Sequence, residues 1–89
     1  MGRVPAFVTL RELDQRAGAP KGAAFRAFKA LAASLAEPAD FLRLDAAQDA
    51  AEIARLKAAG RLYGSTVHAL LLSPATAERV LQRLRENPG

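Results

Sequence analysis

The stretch Thr9-Leu10-Arg11-Glu12-Leu13-Asp14-Gln15-Arg16-Ala17-Gly18-Ala19-Pro20-Lys21-Gly22-Ala23-Ala24-Phe25-Arg26-Ala27-Phe28 decides the fold of this 89-residue chain. Thr9-Leu10-Arg11-Glu12 is a capping box. The Thr9 hydroxyl accepts from the Glu12 backbone N–H, and the Glu12 carboxylate reaches back to the N–H of Thr9. A helix follows to about Ala17, with Leu10, Leu13 and Ala17 as its buried stripe. Gly18 then suits a left-handed helix end, and Pro20 cannot continue the hydrogen-bond ladder.

A second helix restarts at Pro20 or Lys21 and runs to about Leu35. Phe25, Phe28, Leu31, Ala32 and Leu35 fall in one apolar sector. The pattern predicts that Leu13, Phe25 and Phe28 are buried between the two helices. Gly22, Arg26, Lys29 and Ala33 share a flanking face, and Ala23, Ala27 and Ala30 form a smooth far side.

Working outward, Phe7-Val8-Thr9 reads as a short strand before this pair. After the break at Glu37-Pro38-Ala39-Asp40, Phe41-Leu42-Arg43-Leu44 reads as another. Phe41 and Arg43 face one way, Leu42 and Leu44 the other. Asp45, with Gln48 three residues on, caps a third helix that runs to about Ala59 and is anchored by Ile53 and Leu56. Thr66 to Leu72 favours a strand. Ser73-Pro74 starts a last helix to about Arg85, burying Ala77, Val80, Leu81 and Leu84.

The order is strand-helix-helix-strand-helix-strand-helix. That is an α+β fold laid out as a small winged helix-turn-helix-like single domain over residues 1–89, or else a generic small α+β domain whose helix pair does only packing. The helix-turn-helix unit spans about 9–36, the wing with its inserted helix about 41–72, and the C-terminal helix about 74–86.

Composition narrows the function. Hydrophobic residues make up 51% of the chain, but alanine supplies 21 of them, enough for one modest core. The longest strongly apolar run, Ala69 to Leu72, is far below the ~20 residues that span a bilayer. Met1 to Pro5 has no apolar signal region. These features lead to the expectation of a soluble, intracellular (cytoplasmic) protein. There is no cysteine and a single histidine, His68, so neither thiolate chemistry nor a metal site is expected, and no cofactor.

An enzyme is not expected. The acids near one another, Asp40 with Asp45 and Asp49 with Glu52, suit caps and helix dipoles. Ser65, Thr66 and His68 lack an orienting acid. His68 reads as a partly exposed strand residue and Tyr63 as the rim of the core.

The net charge is +4, and it is uneven. Residues 1–36 carry +4, residues 37–60 carry −2 and residues 61–89 carry +2. A basic N-terminal third suits a polyanion, nucleic acid foremost.

Thr9-Leu10-Arg11-Glu12-Leu13, then Gly18 and an apolar-basic helix, resembles the opening of bacterial and phage winged helix-turn-helix regulators. Glu37-Pro38-Ala39-Asp40-Phe41-Leu42-Arg43-Leu44 resembles the segment after that unit in phage-type regulatory and antirepressor N-terminal domains. The likeness covers about residues 9–44. Two differences stand out. Asp14 takes a place where such regulators usually have Ala, and Pro-Lys-Gly opens the second helix.

The resemblance implies a sequence-specific transcriptional or phage-type regulator that lays helix 21–35 in the major groove of double-stranded DNA, as a homodimer. Arg26 then suits bidentate contact with guanine and Lys29 a phosphate. Lys21 sits where a helix N-terminus meets phosphate. Gly22 and Ala23 allow close approach. Arg11 and Arg16 clamp the backbone, and Arg43 and Arg61 reach out from the wing. The alternative is a protein-interaction or adaptor module without nucleic-acid binding. It would use the alanine face or the leucine-rich strand 66–72 to form a homodimer or hetero-complex. Neither reading calls for a small-molecule substrate or a membrane.

Overall fold

A computed structural model describes residues 7–86. The elements are β1 (Val8–Thr9), α1 (Leu10–Ala17), α2 (Ala23–Leu31), β2 (Phe41–Leu44), α3 (Ala50–Ala58), β3 (Ala69–Leu72) and α4 (Pro74–Glu86). A single 3-10 turn, Ala32–Ser34, extends α2. The architecture is a small α+β domain: four helices on a three-stranded antiparallel sheet of order β1-β3-β2.

The sheet sorts the core. β3 is central and alternates its side chains between two faces. Leu72, with half-buried Leu70, faces the layer of α1, α2 and α4, where Leu13, Ala24, Phe28 and Val80 pack. Ala69 and Leu71 face the other layer, with Leu44, Ile53, Leu56 and Leu62. β2 follows the same rule. Phe41, paired with Leu72, meets Phe28 edge-on at 5.1 Å, while Leu42 and Leu44 join the α3 side. The leucines at 70–72 are therefore used inside the chain. β3 is paired on both edges, so it offers no strand edge for a dimer.

The capping box forms as its residues dictate. Thr9 N–H donates to Glu12 Oε1 (2.9 Å) and Glu12 N–H to Thr9 Oγ1 (3.2 Å). Gly18 ends α1 at φ 62°, in the left-handed region. Ser73 caps α4 by accepting from Thr76 N–H (3.2 Å). β2 and β3 pair, and α3 lies between them in the chain.

Several expectations need correction. α2 begins at Ala23 rather than Pro20 or Lys21, because Gly22 is left-handed (φ 92°). Its buried stripe is Ala24, Ala27, Phe28 and half-buried Leu31, rotated from the one expected. Small alanines let α2 sit closely in its layer, so Ala27 belongs to the core and not to a smooth outer face. Phe25 is turned outward at 43% exposure.

α3 starts at Ala50, not after Asp45. The Asp45 carboxylate does accept from Ala47 and Gln48 N–H (2.9 and 3.0 Å). However, Asp49 takes the Asp45 N–H (2.8 Å) and closes that turn on itself. These two bonds from Gln48 and Ala47 hold the Asp45 carboxyl below its ordinary value. Thr66, Val67 and His68 precede β3 instead of opening it. The partner strand ends at Leu44, opposite Ala69, so nothing pairs with them. His68 Nδ1 instead accepts from Ala46 N–H (3.1 Å).

Candidate nucleic-acid interface

The outward stripe of α2 and its approach is Gly22, Phe25, Arg26 and Lys29, spaced at 3, 1 and 3 residues, with Lys21 just before it. Lys21, Phe25, Arg26 and Lys29 are all exposed. This face is basic and carries no acid. Between Asp14 and Glu37 the chain contains Arg16, Lys21, Arg26 and Lys29 and no Asp or Glu.

The two acids that precede this run are drawn inward. Asp14 lies on the α1 stripe and is only 2% exposed. α2 has no side-chain cap of its own, since Gly22 stands at its N-cap. The Asp14 carboxylate supplies what is missing. It accepts from Ala24 N–H (2.7 Å), from Gly22 N–H (3.1 Å) and from the Tyr63 hydroxyl. A negative charge at a helix N-terminus is also favoured by the helix dipole. Burial first, then the Asp14 bond, pushes the Tyr63 phenol up to about 12.

Glu12 is held by Arg61. The guanidinium donates through Nε to Glu12 Oε2 (2.9 Å) and through Nη2 to Oε1 (3.1 Å) and to the Phe7 carbonyl (2.7 Å). The Arg61 carbonyl in turn accepts from the Thr9 hydroxyl (2.6 Å). Burial works to raise the Glu12 pKa, but the Arg61 and Thr9 bonds outweigh it and lower it. The same pairing with Glu12 raises the Arg61 pKa.

The sequence-level candidates thus divide. Arg61 is engaged in the fold: its guanidinium ties the 61 segment to the α1 cap. Arg11 donates to the Gly60 carbonyl and lies over the Tyr63 ring at 5.7 Å, so it chiefly holds the same segment. Lys21 reaches Ser65 Oγ (3.0 Å) and also covers Tyr63.

Arg26 leans back toward the start of α2. A Cβ on Gly22 would stand 3.5 Å from its Nη1. Gly22 is required by its backbone and leaves room for this approach; Ala23 is half-buried. Lys29 lies over the exposed Phe25 ring at 5.2 Å. Among the described residues, no carboxylate pairs with Lys21, Arg26 or Lys29. Arg16 is exposed on α1. Arg43 is exposed at the β2 edge, on the sheet face of Leu70.

Three contributors were missed in the sequence. Arg83 of α4 joins Arg26 along a groove of about 340 Å³ walled by Gly18, Ala19, Ala23 and Ala30. Only the fold brings α4 beside α2, so no local signal marks it. Asp14 and Tyr63 form the cap. Asp14 had a readable signal, being a carboxylate on an apolar stripe ahead of a helix with no capping residue. Among the described residues, no helix is long and apolar enough to cross a membrane, and no three acids or histidines gather as metal ligands.

The chain matches no family model, no curated protein and no solved structure.

Proposed function

We propose that the domain binds duplex DNA through the outward face of α2, as a sequence-specific regulator of the winged helix-turn-helix kind. The observation that carries this is the acid-free basic stripe of Arg26 and Lys29 on the exposed side of α2, with Lys21 just before the helix and both nearby acids engaged in bonds within the chain. A helix of this width fits the major groove. Arg26 offers a planar fork for one guanine edge, and Lys29, Lys21 and Arg16 offer point charges for phosphates. A two-fold dimer with one α2 per half-site completes the scheme. Its contact then falls away from β3.

The test is a binding titration on duplex DNA over a range of salt. Three phosphate contacts per copy give a log–log slope of about −2.7, at roughly −0.9 per contact. Arg26→Ala should cost roughly 1–3 kcal/mol on a selected site and much less on random DNA. Lys29→Ala should weaken both about equally and reduce the slope by about one. No salt-sensitive affinity at low ionic strength refutes the proposal. Equal loss on both DNAs for Arg26→Ala refutes the guanine contact.

A further inference from the structure

A second concave site lies between α1, the start of α2 and the segment leading into β3. It is a cleft of about 250 Å³. Leu10, Leu62 and Leu70 contribute apolar wall, and Phe25 and Tyr63 contribute rings. Arg11 and Lys21 also line it, both within 6 Å of the Tyr63 ring centre. The single carboxylate in the wall, Asp14, already accepts three hydrogen bonds.

We propose that this cleft binds a small planar organic anion, an aromatic carboxylate of one or two rings. The apolar wall and the two aromatic rings suit a flat hydrophobic body. A guanidinium and an ammonium beside them suit a carboxylate. An inorganic anion would make no use of Leu10, Leu62 and Leu70, and a neutral ring would make no use of the cations. Size sets the limit, since the volume lies just below the roughly 300–1,000 Å³ of drug-sized pockets. A bound carboxylate draws Lys21 off Ser65 Oγ. Where Lys21 also serves DNA, the anion competes with phosphate for it. That consequence rests on the DNA proposal, whereas binding in the cleft does not.

The probe is 2-naphthoate, followed by amide chemical shifts of the labelled domain, with neutral 2-naphthamide and cationic 2-naphthylmethylammonium as controls. Naphthoate should give saturable shifts at Leu62, Tyr63, Ala69 and Leu70 with Kd below about 1 mM. The amide and the ammonium should bind at least threefold more weakly. Lys21→Gln should weaken naphthoate about three- to fivefold, the scale of an exposed ion pair, and leave the amide unchanged. Leu70→Phe narrows the cleft and should abolish the shifts. The amide spectrum shows whether that variant folds, and Lys21→Gln decides the matter where it does not. Equal binding of carboxylate and amide, or shifts away from the cleft, overturns the proposal. Naphthoate binding without any DNA affinity supports the cleft and sinks the DNA proposal; DNA binding without naphthoate shifts does the reverse.

Discussion

Removing the Asp14 carboxylate tests the central structural inference, that α1 caps α2 from a distance. Asp14→Ala leaves Gly22 N–H, Ala24 N–H and the Tyr63 hydroxyl without their acceptor. Loss of a helix N-cap costs about 0.5–2 kcal/mol. Stranding the half-buried Tyr63 hydroxyl costs about 1 kcal/mol, the low end for a buried donor. Gly22 is half-buried and regains water, so the lower part of the cap range applies there. The expected total is about 3 kcal/mol, a large share of the roughly 5–15 kcal/mol that holds a domain together. Urea unfolding followed by circular dichroism reads this directly. With a slope near 1 kcal/mol/M for so small a domain, the midpoint should fall by ~3 M. Asp14→Asn keeps one carbonyl acceptor and should lose about half as much. Tyr63→Phe should lose about 1 kcal/mol and, combined with Asp14→Ala, should add almost nothing. A loss under about 1 kcal/mol for Asp14→Ala, or full additivity with Tyr63→Phe, would refute the shared cap.

Phe28→Ala should cost about 3–5 kcal/mol and Phe25→Ala under about 1, because only Phe28 is in the core; similar losses in thermal unfolding would contradict the α2 rotation. Glu12 has a folded-state pKa below its ordinary 4.5, so its contribution to stability is present above that value and is lost as pH falls through the lower one. The stability gap between wild type and Glu12→Gln should therefore close in acid, and a carboxyl NMR titration of Glu12 should show a midpoint under 4.5. Tyr63 is raised from 10.0 to about 12, so its contribution is complete below pH 10 and fades as pH rises through about 12. Ultraviolet absorbance of the phenolate, compared in native and urea-unfolded chain, should show that separation.

Local signals carried most of the fold. The Thr9 capping box, Gly18, Ser73-Pro74 and the alternation in Phe41 to Leu44 each depend on residues within a few positions, and each formed as read. What failed depends on distant partners. Phe25 and Phe28 are equally apolar, and the choice between them is made by how closely Ala24 and Ala27 let α2 approach its neighbours. Thr66 and Val67 have strand preference, but β2 is too short to pair with them. Arg61 and Arg26 look alike in the chain. One meets Glu12 across 49 positions and the other meets no acid among the described residues. Basic residues could therefore be found in the sequence, while the division between structural and available ones required the fold.

That division also gives the domain an electrical direction. The sheet separates α1, α2 and α4 from α3, as its two side-chain clusters show. The acid-free run 15–36 lies in the first layer, and the acids Asp49 and Glu52 lead the helix of the second. Solvated beside Arg16, Lys21, Arg26 and Lys29, Asp14 and Glu12 would offset half the charge of those four within one Debye length, about 8 Å at physiological salt. Placed as a helix cap and paired with Arg61, they stabilise the fold, and their oxygens are taken up by hydrogen bonds within the chain. Exposed acids on α4, Glu78 and Glu86, lie in sequence outside the run 15–36, and Glu52 is exposed on α3. In the proposed function, a polyanion is steered toward the α2 side before any contact forms. The same two carboxylates thus hold α1 to α2 and to the 61 segment, and neither pairs with Lys21, Arg26 or Lys29.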